Sequence, residues 1–109
     1  MAAKRGSAHG FSRSDRVSEQ IRRELADLLR FHLKDQRIAA RMTLVTVSAV
    51  EVTPDYAHAK VFYTSLADPS ANDAVAEGLA RSASFLRREL AKRVRIHHIP
   101  ELHFVFDSS

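Results

Sequence analysis

The strongest candidate for chemistry in this sequence is a dense group of basic residues between positions 81 and 95. The segment carries six Lys or Arg side chains and a single acid, Glu89. Arginine suits phosphate because its forked guanidinium donors can bind two oxygens at once. Arginines at positions 81, 88 and 95 are seven residues apart and therefore share one face of a helix. The candidate nucleic-acid contacts in this segment are Arg81, Arg87, Arg88, Lys92, Arg93 and Arg95.

A second basic stripe lies closer to the N-terminus. Arg16, Arg23 and Arg30 are also seven residues apart. Arg37 lies in the polar segment that follows them. Acids at helical spacing, such as Glu19, could neutralise part of this stripe. The shared face of these arginines makes them candidate RNA contacts too. Because of the nearby acids, we rank this stripe below the segment 81–95.

Charge is segregated along the chain. The net charge is only +4. However, the basic segments 1–41 and 81–95 are separated by residues 42–80, in which Lys60 is the sole Lys or Arg. Such segregation is typical of nucleic-acid binding, because Lys and Arg contacts to phosphate release condensed counterions. Two helices with basic solvent-facing sides would give the same pattern, so the charges alone leave both interpretations open.

Several classes of function lack the residues they need. The sequence has no cysteine, which excludes disulfides, thiolate metal sites and cysteine nucleophiles. The histidines are scattered, and the adjacent pair His97-His98 would point to opposite sides of an extended segment, so we predict no metal site. The acids are dispersed, whereas phosphoryl-transfer chemistry usually needs clustered carboxylates or a positioned base. We therefore expect no enzyme activity, no cofactor and no small-molecule substrate.

The sequence shows no signal for membrane insertion or export. No apolar run approaches the roughly 20 residues of a membrane span. Residues 1–10 lack the apolar stretch of a secretory signal. We expect a cytoplasmic protein. We also expect a monomer, because no exposed apolar stripe is left over.

Hydrophobic periodicity predicts a helix followed by a hairpin in the first half of the chain. Apolar residues at spacings of three or four predict a helix that ends near Leu33. The alternating segments 44–52 and 56–64 predict two antiparallel strands. Apolar residues change face at Val50, which indicates either a bulge or a strand end buried on both sides.

The second half predicts two helices and a last strand. Ser82-Ala83-Ser84 divides a long helical pattern, and serines there can compete for backbone hydrogen bonds, so we predict a kink. Pro100 ends the helical part, and alternation through Phe106 predicts a strand. The order α-β-β-α-α-β predicts an α+β fold, a three-stranded sheet with its helices packed on one face. We assign residues 13–107 to this one domain and residues 1–12 to a flexible tail.

One short element stands out in the local sequence, Ile99-Pro100-Glu101-Leu102, placed after a basic helix and before an aromatic strand. Other distinctive stretches precede it in the chain: Arg16-Val17 with Ile21, Lys34-Asp35 with Arg37, Val47–Val52, Ala57–Val61 and Phe85-Leu86-Arg87. Taken in order, these sequences resemble bacterial ribosome-binding factor A, and the order of elements resembles a type II KH-like domain. The resemblance spans roughly residues 11–107, and Ile99-Pro100-Glu101-Leu102 is its most specific part.

The resemblance implies a function in ribosome biogenesis. Members of this family bind the free small (30S) subunit, assist its late assembly and the maturation of the 16S rRNA 5′ end, and act in cold adaptation. In place of a Gly-x-x-Gly loop they have an interhelical kink of the form Ala-x-Gly. Ser82, Ala83 and Ser84 occupy that place here and depart from the pattern at both ends. The resemblance makes these three residues candidate RNA contacts, with the free 30S subunit and its 16S rRNA as partners.

Two other functions remain open from the sequence. One is a KH-type reader of single-stranded RNA, although the sequence contains no Gly-x-x-Gly. The other is a protein-interaction module whose basic face meets an acidic partner. The predicted second strand places Tyr56, His58, Lys60 and Phe62 on one face, which could stack on bases. A half-exposed sheet surface explains the same residues, and we favour that interpretation.

Overall fold

The computed structural model describes residues 13–33, 42 and 44–107. The predicted flexible tail and Arg37 lie outside these residues. An α+β fold with a three-stranded sheet is observed, as predicted. The elements are α1 (Arg13–Phe31), β1 (Val45–Val52), β2 (His58–Ser65), a short 3-10 turn (Pro69–Ala71), α2 (Asn72–Arg93) and β3 (Glu101–Phe106).

The sheet has the order β1-β2-β3. Strands β1 and β2 are antiparallel, whereas β2 and β3 are parallel. The turn between β1 and β2 places Tyr56 at a φ of 60°. Asp55 stabilises this turn, since its Oδ1 accepts hydrogen bonds from the Thr53 hydroxyl at 2.7 Å and the Ala57 amide at 3.0 Å. These two donors also lower the pKa of the Asp55 carboxyl.

A β-bulge at Ser48 confirms one of the two interpretations of the apolar switch in β1. Val47 pairs with Tyr63 but Ala49 pairs with Phe62, so Ser48 is an extra residue in the ladder. As a result both Val47 and Val50 are buried on the core side. The Ser48 hydroxyl donates to the Phe62 carbonyl oxygen at 3.2 Å. This hydrogen bond replaces part of the backbone hydrogen bonding that the bulge interrupts.

The helices cover one face of the sheet. In β2, Ala59, Val61 and Tyr63 are buried, while the alternate residues His58 and Lys60 are exposed, as strand geometry requires. The core draws on both helices and all three strands. Its largest fully buried members include Ile21, Leu25, Leu28, Met42, Leu79, Leu86 and Leu90. Within the described residues, neither helix is long and apolar enough to span a bilayer.

The predicted division of the second helical segment is wrong. Asn72–Arg93 forms one helix of 22 residues that continues through Ser82-Ala83-Ser84. The reason lies in its buried face, where Leu79, Ser82 and Leu86 follow one another at helical spacing and pack into the same core. Packing of an amphipathic face stabilises a helix more than local propensity does, so the competing serine hydroxyls do not break it.

Candidate nucleic-acid interface

Arg93, one of the predicted nucleic-acid contacts, links the two helices. Its Nη1 donates to Glu24 Oε1 at 2.9 Å and to Asp27 Oδ2 at 2.8 Å. The side chain is only 25 % exposed. The guanidinium lowers the pKa of the Asp27 carboxyl, and the two carboxylates raise the pKa of Arg93. Arg93 therefore holds the end of α2 against α1.

Arg87 also has a structural contact. Its Nη2 donates to the carbonyl oxygen of Ile99 at 2.8 Å, and its Nε donates to that of Pro100 at 3.2 Å. These carbonyls belong to the segment that leads into β3. Arg87 thus fixes the start of the last strand to α2, a role that the charge pattern could not indicate.

A third group of basic residues faces solvent. Arg81 contacts Glu77 at 3.2 Å and Lys92 contacts Glu89 at 3.1 Å, with side-chain exposures of 69 % and 71 % for the two cations. Such exposed pairs contribute little energy, so they hold the cations only weakly. Arg88 is exposed and makes no ion pair with any residue that the structure describes. These side chains remain available to a partner.

Arg81, Ser84, Arg88 and Lys92 form what we call the α2 basic face. They follow one another at spacings of three, four and four, so they line one side of the helix. All four are exposed. Ser84 and Arg88 also line a cavity of about 360 Å³ together with Arg87, Ala91 and Ile99. This arrangement places cations around a shallow concave surface that an anionic backbone could enter.

The middle of α2 presents its predicted contact residues to different environments. Ser82 is 7 % exposed and belongs to the buried face. Ala83 is half-buried, and Ser84 is exposed. Of the triplet, only Ser84 therefore offers its side chain freely to a partner. Arg95 follows the end of the helix, is exposed, and lines a separate cavity of about 440 Å³.

The basic stripe of α1 is exposed as well. Arg16, Arg23 and Arg30 all face solvent. Arg23 Nε lies 3.7 Å from Glu19 Oε2. The stronger partner of Glu19 is Arg22, whose Nε and Nη2 donate at 3.0 and 2.6 Å and lower the pKa of the Glu19 carboxyl. Glu19 therefore pairs mainly with Arg22, which lies outside the stripe and which the sequence pattern did not single out, so it neutralises the stripe only in part.

The structure also brings together three residues that the sequence pattern missed. His58, Glu101 and His103 lie on the exposed face of the sheet, and His58 and His103 are 45 positions apart in the chain. His58 Nδ1 lies 3.0 Å from His103 Nε2. Both histidines line a cavity of about 610 Å³. A prediction that β2 and β3 pair in parallel would have placed these three residues next to one another.

Comparisons with known proteins agree on one family. The family model described as ribosome-binding factor A matches residues 13–109. The ribosome-binding factor A of Dechloromonas aromatica (strain RCB) is 58 % identical over 100 residues, which cover 92 % of this chain and 77 % of that protein.

Solved structures show the same likeness. The crystal structure of ribosome-binding factor A from Thermus thermophilus aligns with a TM-score of 0.72 at 27 % identity, over 85 % of this chain and 93 % of that one. A homology model of the Thermus thermophilus protein, fitted into a cryo-EM map of its 30S complex, aligns with a TM-score of 0.62 at 29 % identity, over 80 % and 87 %.

Proposed function

This chain belongs to the ribosome-binding factor A family, and from that premise we propose that it binds the free small (30S) ribosomal subunit through 16S rRNA. The Thermus thermophilus relative is seen in a complex with the 30S subunit. The observation that carries the proposal for this chain is the α2 basic face. It presents three cations and a hydroxyl on the side of α2 away from the core.

The charges of this face suit the phosphates of folded RNA. Guanidinium groups bind two phosphate oxygens at once, and lysine supplies a compact positive charge. Arg81 and Glu77 form an exposed pair, so exchange of Glu77 for phosphate costs little. Lys92 is itself 71 % exposed, although its partner Glu89 is 25 % exposed, so its ammonium group can also reach a phosphate. Arg88 needs no exchange at all, because it has no ion-pair partner among the described residues. Arg88 is therefore the residue that we place at the centre of the interface.

Two other arginines of α2 hold this helix, and with it the α2 basic face, in position. Arg87 and Arg93 use their guanidinium groups to fasten α2 to the β3 segment and to α1. A binding surface on a rigid element keeps the spacing of its side chains fixed, so less backbone has to be ordered on binding. We therefore separate the basic residues of α2 into two that position the helix and three that contact rRNA. Arg95, Arg16, Arg23 and Arg30 are further exposed contacts.

The proposed action is to shape rRNA rather than to cut it. In the described residues several carboxylates already serve local structure, such as Asp27 with Arg93 and Asp55 in the hairpin turn. Carboxylates engaged in this way are not free to hold a catalytic metal or to activate water at an RNA phosphate. We propose that the protein, as a cytoplasmic monomer, assists late 30S assembly and maturation of the 16S rRNA 5′ end, also in the cold, by stabilising an rRNA conformation.

Co-sedimentation of the purified chain with free 30S subunits, 50S subunits and joined ribosomes tests this proposal. We expect selective binding to free 30S subunits. With the three cations of the α2 basic face on phosphates, the affinity should fall about 40-fold between about 50 and 200 mM salt, by the relation known for duplex DNA. Equal binding to all three particles would contradict the proposal, since it would show only general affinity for RNA. Salt-independent binding that survives RNase treatment of exposed rRNA would favour a protein partner instead.

A further inference from the structure

The pairing of β2 with β3 creates a cluster of metal-binding side chains on the exposed face of the sheet. In this parallel ladder His58 is the partner of Glu101, and Lys60 is the partner of His103. Residues two apart on a strand point to the same side. His58, Glu101 and His103 therefore project from one face, opposite to the face that the helices cover. All three side chains are exposed, by 53 %, 61 % and 48 %.

The donor atoms of these side chains lie at distances that suit one tetrahedral ion. His58 Nδ1 is 3.0 Å from His103 Nε2 and 3.5 Å from Glu101 Oε1. His103 Nε2 is 3.7 Å from the same carboxylate oxygen. Ligand atoms bound tetrahedrally at about 2.0–2.1 Å from a Zn²⁺ ion are about 3.3 Å apart. In the plane of the three donor atoms, the equidistant point lies about 2.0 Å from each, which is the length of a zinc–ligand bond. An ion at that point is coplanar with the three atoms, and small side-chain rotations bring it to tetrahedral coordination.

The backbone on both sides of the cluster is already fixed. The His58 amide donates to the Thr53 hydroxyl at 3.1 Å, and the His58 carbonyl accepts from the Thr53 amide at 2.9 Å. The Glu101 amide donates to the Ala57 carbonyl at 2.9 Å. Arg87 holds the residues just before Glu101. Only side-chain rotations are needed to adjust the ligands, so the binding of a metal would order little additional chain.

We propose that His58, Glu101 and His103 form a binding site for a divalent transition-metal ion, with Zn²⁺ as the best fit. Two imidazoles and one carboxylate are a ligand set that Zn²⁺ uses in proteins, with the fourth position left to water or to a further ligand. His58 and His103 also line the cavity of about 610 Å³ on the same face, which has room for such a ligand. The bound ion ties β2 to β3. Without a metal, the two histidines share one N–H···N hydrogen bond at the same place.

Titration of the full chain, purified without a histidine tag, tests the site. The probes are Zn²⁺, followed by calorimetry, and Co²⁺, followed by its visible absorption, which reports tetrahedral coordination. We expect one ion per chain. The His58→Ala and His103→Ala variants should bind at least about 100-fold more weakly, since even the loss of outer partners of a metal ligand costs about 10- to 100-fold. Glu101→Gln should weaken binding in the same direction.

A matched control removes histidines elsewhere. His97 and His98 are both exposed and lie outside the cluster. The double variant His97→Ala, His98→Ala should bind Zn²⁺ like the original chain. A second measurement is the melting temperature, which should rise with Zn²⁺ in the original chain and in this control, but not in His58→Ala. Absence of saturable binding, or equal binding by the original chain and by the folded His58→Ala and His103→Ala variants, would overturn the proposal. These results do not depend on 30S binding.

Discussion

The Nη1 atom of Arg93 lies 2.8 Å from Oδ2 of Asp27, so the last turn of α2 is fastened to α1. The same nitrogen also contacts Glu24 at 2.9 Å. Asp27 Oδ2 in turn lies 3.2 Å from His32 Nε2. A cation that a charge count assigns to a binding surface is thus part of a network between helices. The basic residues of α2 therefore differ in what they contact: some hold the helix in place, and others face solvent.

Replacement of Arg93 by alanine should destabilise the fold. Both carboxylates lose the guanidinium, and because the network is partly exposed we expect a loss of about 1 kcal/mol in the free energy of unfolding. Urea denaturation measures this loss. Arg88→Ala is the matched control, since Arg88 has no ion pair among the described residues and its removal should change stability by less than about 0.5 kcal/mol. Equal losses in the two variants would contradict the account.

The Arg93 network should also make stability depend on acidic pH. The pKa of Asp27 is lowered in the folded state, chiefly by the hydrogen bond from Arg93. A lowered folded-state pKa means that its stabilisation is complete above the ordinary value of 3.8 and is lost as the pH falls through the folded-state value. Urea denaturation from about pH 5 to pH 2 should therefore show a shallower loss of stability in Asp27→Asn than in the original chain. Parallel curves would contradict the assignment.

Removal of the Arg87 side chain should loosen the start of β3. The two carbonyls of Ile99 and Pro100 lose a charged donor, and we expect a cost of about 1–3 kcal/mol. Amide hydrogen exchange should accelerate at Glu101 and Leu102 more than in α1. Arg81→Ala, which removes an exposed arginine from the same helix, serves as the control and should leave both quantities nearly unchanged. Protection of β3 equal to that of the original chain would contradict the proposed anchor.

Glycine at position 84 should weaken α2. In an uninterrupted helix glycine is about 1 kcal/mol less favourable than alanine. Ser84 is exposed and lies within α2, so Ser84→Gly should unfold more easily than Ser84→Ala by about that amount. Thermal and urea denaturation of the two variants give the comparison. Higher stability of the glycine variant would show that the backbone at this position needs a conformation that only glycine adopts easily.

Much of the fold could be predicted because it follows from local periodicity. The alternation in β2 placed His58 and Lys60 on a half-exposed face, and both are exposed. The apolar switch at Val50 pointed to the region of the bulge at Ser48. The prediction that this segment is divided into two helices failed for a physical reason. The serines signal a local preference, but Ser82 is buried between Leu79 and Leu86, and tertiary packing decides the helix.

The candidate site was only partly accessible from the sequence. Spacing alone placed Arg81, Arg88 and Arg95 on one face of a helix. The structure exposes all three, but the helix ends at Arg93, so Arg95 lies beyond it. Spacing in the sequence could not reveal that Arg87 and Arg93 donate to carbonyls and carboxylates, because those partners are 12 to 69 positions away in the chain. Distance in the chain also hid His58 and His103 from each other.

Charge reversal at Arg88 tests the central claim most directly. Arg88→Glu and Lys60→Glu make the same charge change at two exposed positions, the first on the α2 basic face and the second on the opposite face of the sheet. Binding of each folded variant to free 30S subunits is measured by co-sedimentation at low salt. We predict that Arg88→Glu weakens binding at least about 10-fold, the value of one charge-assisted hydrogen bond, while Lys60→Glu binds nearly as the original chain does. Unchanged binding by Arg88→Glu, or an equal loss in both variants, would contradict the assignment of the α2 basic face to rRNA.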